Sequence, residues 1–145
     1  MMAQLMTAAD LPAVAALEQA VFQSPWSQRS LSLLCSESGF GAVVSDDAGN
    51  ALAYGGMLTV LDEGQITNIA THPRYRRQGY AARVLKRLLA EARARALTTV
   101  SLEVRESNVA AIALYTGFGF DIVGKRNHFY TNPREHALVM VCHLS

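Results

Sequence analysis

A long amphipathic segment set between two strand-like runs constrains this chain most. Over residues 80–97, Val84, Leu85, Leu88, Leu89 and Ala92 recur on one side of a helix. Before it, residues 65–71 read as a strand stopped by Pro73; after it, residues 99–104 read as another. Two strands joined by a helical crossover pair in parallel, because a connection of a dozen or more residues is what parallel neighbours need. The chain is thus expected to build a sheet containing a parallel pair, with a helix on its face.

The flanking segments complete a mixed α/β unit. Leu11, Val14, Ala15, Leu17, Val21 and Phe22 recur at helical spacing, with Pro12 in the first turn after a cap at Asp10 or Thr7. Ser27 is expected to cap a second helix carrying Leu31, Leu33 and Leu34, ended at Gly39 to Gly41. Residues 41–45 and 51–60 flank a hairpin-like Asp46-Asp47-Ala48-Gly49-Asn50, and Asp62-Glu63-Gly64 turns into residues 65–71, which makes an antiparallel meander. Asn108 caps a helix through Tyr115 and Phe118, closed by Gly117 and Gly119, and residues 121–127 and 137–143 form the last strands. The order is αα-βββ-α-β-α-ββ.

A chain of 145 residues, 50% apolar and 17% charged, matches one globular domain spanning residues 1–145. A net charge of +1 gives no reason to invoke nucleic acid. Cys35 and Cys142, far apart in apolar segments, read as buried thiols of a reducing compartment. With no signal-peptide pattern and no apolar run of about 20 residues, the expected location is the cytoplasm, without a membrane partner. His72, His128, His136 and His143 lack metal-ligand spacing, so no metal is expected.

The charge is unevenly spread: eight of the thirteen basic residues fall between Arg74 and Arg95, where Glu91 is the only acid. Strand, basic loop, helix is an arrangement in which exposed backbone N–H groups and the helix dipole hold a phosphate or pyrophosphate. The loop here is Arg74-Tyr75-Arg76-Arg77-Gln78-Gly79-Tyr80-Ala81. Gly79 permits a positive φ or close backbone approach, Ala81 keeps the first helical turn small, and Arg76 and Arg77 bring charge. It fits neither a Walker A loop nor a three-glycine dinucleotide fingerprint.

Arg76-x-x-Gly79-x-Ala81 resembles the Arg/Gln-x-x-Gly-x-Gly/Ala signature of the GNAT superfamily of N-acetyltransferases, which shares the element order above. The resemblance implies a mostly antiparallel central sheet with a parallel, splayed pair, and acetyl-CoA as cosubstrate. It implies cofactor contacts at Ile69, Ala70 and Thr71 on the strand, and at Arg76, Arg77, Gln78, Gly79, Tyr80, Ala81, Ala82 and Arg83 around the turn. Leu102-Glu103-Val104-Arg105-Glu106-Ser107-Asn108 running on to Leu114-Tyr115-Thr116-Gly117-Phe118 narrows the likeness. With Ser24-Pro25-Trp26-Ser27, Asn68-Ile69-Ala70, Arg126-Asn127 and Arg134-Glu135, it resembles the ribosomal-protein alanine N-acetyltransferases called RimI.

That resemblance implies Glu103 as general base, Tyr115 as general acid, and an acetyl-CoA contact at Asn108. By spacing alone, Glu103 is the outward polar residue of a half-buried strand, Tyr115 a core aromatic and Asn108 an N-cap. The implied acceptor is the N-terminal alanine of small-subunit ribosomal protein S18, attacking the thioester directly. The loop from Arg126 to Pro133 departs from the subfamily pattern, with His128-Phe129 in place of an aromatic pair. Two alternatives stay open: acetylation of a small amine, an antibiotic or a lysine side chain, and a non-catalytic acyl-CoA-binding module.

Overall fold

A computed structural model describes residues 1–131 and 133–144; Asn132, in the loop just quoted, and Ser145 lie outside them. The elements are β1 (Gln4–Leu5), α1 (Leu11–Val21), α2 (Gln28–Leu31), β2 (Gly39–Ser45), β3 (Ala51–Val60), β4 (Glu63–Thr71), α3 (Tyr80–Ala94), β5 (Thr99–Arg105), α4 (Val109–Gly117), β6 (Asp121–Tyr130) and β7 (Glu135–His143). They form one seven-stranded sheet in the order β1-β2-β3-β4-β5-β7-β6. The β4–β5 pair is parallel and all other pairs are antiparallel. No helix among the described residues is long and apolar enough to cross a membrane.

Both faces of the sheet centre are covered, so β2 from Gly39 to Val44 and β3 from Ala51 to Met57 are buried on every residue and not on alternate ones. Ala42, Val44, Ala53 and Met57 pack with Val84, Leu85, Leu88 and Leu89 of α3, and with Tyr115 and Phe120. Val43, Tyr54 and Ala70 face the other way, against Val14 and Leu17 of α1 and Leu31 and Leu34 beyond it. Burying the four large side chains of α3 contributes about 6 to 12 kcal/mol, which seats the crossover helix firmly. It packs tightly over Gly55, where an added Cβ would stand 2.8 Å from Val84 Cγ1 and 2.9 Å from Leu88 Cδ1.

Four details before β5 differ from the sequence reading, each for a local reason. The short β1 precedes the helices; two residues pairing with Val43 and Ala42 carry no periodicity to detect. The second helix breaks after one turn into a 3-10 segment, Ser32–Cys35. There Ser36 Oγ donates to the Leu33 carbonyl at 2.7 Å, a local bond that competes with continued helix. This break leaves Cys35 exposed, contrary to the expected burial, while Cys142 is buried. Finally, α3 stops at Ala94 because Ala96 takes a left-handed φ of 61°, and the Leu97 N–H reaches back to the Ala92 carbonyl at 3.0 Å.

Gly55→Val is expected to cost about 1 to 3 kcal/mol of unfolding free energy, because both neighbours it would strike are fully buried. Urea denaturation measures this, and a variant as stable as the parent would show that α3 does not seat on Gly55.

Candidate active site

β4 and β5 pair over Glu63↔Thr99, Gly64↔Val100 and Gln65↔Ser101 only. Immediately past Gln65 the β3–β4 register slips: Gly55 faces Ile69 and Met57 faces Ile66, so Thr67 and Asn68 together oppose Gly56. This is a β-bulge, which bends a strand and increases its twist. Beyond it Ile69, Ala70 and Thr71 remain paired to β3 while their other edge has left β5. A gap bounded by unpaired strand backbone suits an amide-bearing ligand.

At the end of β4, Pro73–Tyr75 form a 3-10 turn and the chain enters α3 through Arg76, Arg77, Gln78 and Gly79. Arg77 has φ 64° and Gly79 φ 81°. Left-handed residues within a turn rotate successive N–H groups towards one side, which makes an anion-binding concavity. For Arg77 that conformation costs on the order of 1 kcal/mol or more. A Cβ at Gly79 would meet nothing within 4 Å, so the space before the first turn of α3 is open to a ligand. Tyr80, Ala81, Ala82 and Arg83 form that turn. Arg83 is partly engaged: its guanidinium lies 5.0 Å from the Tyr80 ring centroid and donates to the Met1 carbonyl at 3.3 Å.

Glu103 is on the half-exposed face of β5, opposite Val139 of β7. Its side chain is only 17% accessible, and Oε1 accepts a hydrogen bond from Arg126 at 3.0 Å. Arg126 in turn stacks over Phe129 at 4.6 Å. Asn108 caps α4 through Oδ1, which accepts from the Ala111 N–H at 3.2 Å. Tyr115 lies one helix length on, buried against Phe120 at a ring separation of 5.8 Å. Burial, with a smaller contribution from Tyr130, pushes its phenol up to about 12.

Tyr130 links the two candidate catalytic residues electrostatically: burial raises its pKa first, and the Glu103 charge raises it further. Arg105 covers the Tyr130 ring at 4.4 Å and donates to the carbonyls of Pro133 and Thr131 at 2.9 and 3.1 Å. Tyr130 falls in a segment whose sequence reads as loop, and Arg126 carries no sequence signal beyond the family likeness. The strand instead runs to Tyr130, with a left-handed His128 absorbing the irregularity.

The family model for the acetyltransferase (GNAT) family matches residues 11–120. The chain belongs to the GNAT family. It is an N-acetyltransferase, and members of this family use acetyl-CoA. The chain is similar to the ribosomal protein bS18-alanine N-acetyltransferase of Escherichia coli K12, 37% identical over 138 residues, covering 94% of this chain and 93% of that one. The Haemophilus ducreyi protein of the same name is 34% identical over 131 residues, 88% of this chain and 90% of the other. The crystal structure of the Escherichia coli ribosomal-protein-S18-alanine N-acetyltransferase superposes with a TM-score of 0.88 at 35% identity, over 99% of this chain and 95% of that one. The GNAT fold, with its one parallel pair, is therefore as the resemblance implied.

Because Gly79 is left-handed and faces open space, Gly79→Val is expected to weaken acetyl-CoA binding at least about tenfold, while unfolding free energy falls by only about 1 to 2 kcal/mol. Calorimetric titration beside a denaturation curve separates the two effects, and unchanged affinity would remove this turn from the cofactor site.

Proposed function

We propose that this enzyme transfers the acetyl group of acetyl-CoA to the N-terminal alanine amine of ribosomal protein bS18 in the cytoplasm. The observation that carries this reading is similarity along 94% of the chain to a protein named for that acceptor. Acetyl-CoA supplies the acetyl group as an activated thioester. Backbone groups of Ile69, Ala70 and Thr71 line its arm, and the amides of the turn from Arg76 to Arg83 take its pyrophosphate, with Arg76 and Arg77 adding charge at the rim. With the cap taken by Oδ1, the amide Nδ2 of Asn108 is the group that residue has left to offer.

Glu103 and Tyr115 divide the proton work. An N-terminal amine has a pKa of roughly 7.7 to 8.0, so a minority is neutral at pH 7 and ready to attack. Its nitrogen bonds to the acetyl carbon, the C–S bond breaks with its electron pair on sulfur, and the amine proton leaves to Glu103. Because Arg126 occupies Oε1, Oε2 is the oxygen left to receive that proton, directly or through water. A phenol at about 12 facing a thiol near 8.5 is uphill by roughly 5 kcal/mol, so Tyr115 acts chiefly as a hydrogen-bond donor to the departing thiolate. Its raised pKa contributes stability that is full below about pH 10 and is lost as pH rises through about 12, so the donor persists across the working range.

Mixing enzyme and acetyl-CoA with a peptide beginning in free alanine is expected to release coenzyme A, whereas an N-blocked copy containing lysine is not. Equal release from both would overturn N-terminal specificity. Glu103→Gln is expected to lower kcat by about 100-fold or more with little change in acetyl-CoA affinity; unchanged turnover would remove Glu103 from the chemistry. For the parent enzyme kcat should not fall between about pH 8 and about pH 10, since Tyr115 keeps its proton there; an alkaline limb in kcat that vanishes in Tyr115→Phe would contradict this.

A further inference from the structure

Glu18 sits on the apolar stripe of α1 with no accessible surface. Its carboxylate accepts from the Trp26 backbone N–H at 2.9 Å, from Asn68 Nδ2 at 2.9 Å and from the Tyr54 hydroxyl. Among the described residues it has no cationic partner. A buried carboxylate without a counter-ion is costly unless donors satisfy it, and a leucine here would simply extend the surrounding apolar cluster. The three donors come from three separate segments: the chain between α1 and α2, the centre of β3 and the bulge of β4.

The bulge does not hold itself. Thr67 Oγ1 is buried in it without a hydrogen-bond partner, a cost of about 1 to 3 kcal/mol. Ile66 and Ile69, three residues apart, nonetheless join the same cluster under α3, which a regular strand with its two-residue period could not achieve. The extra residue is absorbed at Thr67 and Asn68, and Asn68 is the one tied to the other side of the sheet, through Glu18. The same carboxylate keeps the Trp26 backbone beside β4.

We propose that Glu18 is a positioning residue for acetyl transfer: by holding Asn68 it locks the bulge that turns β4 away from β5, and by holding the Trp26 N–H it fixes the α1–α2 segment beside that opening. This rests on the reading that acetyl-CoA lies along β4. Glutamine at this position keeps one acceptor oxygen and turns an N–H₂ group towards donors, so it cannot satisfy both the Trp26 and the Asn68 sides.

The test compares Glu18→Gln, Asn68→Ala, their double variant and Leu11→Ala by calorimetric titration of acetyl-CoA without acceptor, by kcat per folded molecule with the alanine peptide, and by thermal melting. Glu18→Gln and Asn68→Ala are each expected to weaken acetyl-CoA binding or turnover by about tenfold, and the double variant to be no worse than either, since both break one link. Leu11→Ala, which trims the same apolar cluster at the start of α1 and makes none of these hydrogen bonds, should melt lower with turnover intact. If Glu18→Gln does not fold, Asn68→Ala, whose side chain is not in the core, carries the comparison. Lower melting with full affinity and turnover in Glu18→Gln and Asn68→Ala would make the carboxylate merely structural and overturn the proposal. A parent protein that fails to bind acetyl-CoA would overturn the cofactor reading and this proposal with it.

Discussion

β4 and β5 pair over three residues and then separate, and the backbone groups released by that separation are the resource on which the rest of the molecule is built. Buried N–H and C=O groups need partners, so a sheet that opens inside a fold invites a ligand that supplies them. The crossover helix α3 makes the opening permanent: its apolar side is anchored on Gly55 and the neighbouring strand residues, and its first turn is aimed at the end of β4. The strand edge and the Arg76–Gly79 turn are thus consecutive in the chain. β5, on the far bank of the opening, carries Glu103, and α4 behind it carries Tyr115.

The far bank holds two different electrostatic environments. Glu103 is mostly covered yet paired to the half-exposed Arg126, so its charge is balanced without being sealed from solvent. Tyr115 is buried among apolar side chains, which makes it a poorer acid and a persistent donor. Tyr130 lies within electrostatic range of both and is held under Arg105, which also ties down the following loop. Removing water from the phenol and leaving the carboxylate near solvent is consistent with one group giving a hydrogen bond and the other exchanging a proton.

Features with strong local chemistry were legible in the sequence. The crossover pattern announced the parallel pair, Gly79 announced the left-handed turn into α3, and Asn108 announced the start of α4. What was not legible lacked such marks. The bulge at Thr67 and Asn68 contains no glycine, and it declares itself only through the register with β3. The end of α3 hid because alanine, not glycine, takes the left-handed position at residue 96. Glu18 occupies a core position of α1, four residues from Val14 and seven from Leu11, but its charge hides it from an apolar periodicity. Its donors lie eight, 36 and 50 residues away, a meeting that only the folded chain reveals.

Everything turns on whether the cofactor lies in the opening between β4 and β5. Backbone amide chemical shifts followed by NMR during titration with coenzyme A test this directly. The account predicts that the largest changes fall on Ile69 to Thr71 and on Gly79 to Ala82, with smaller ones at Asn108. Changes confined elsewhere, such as the groove between α1 and the β2–β3 turn lined by Ala16, Asn50 and His72, would contradict it.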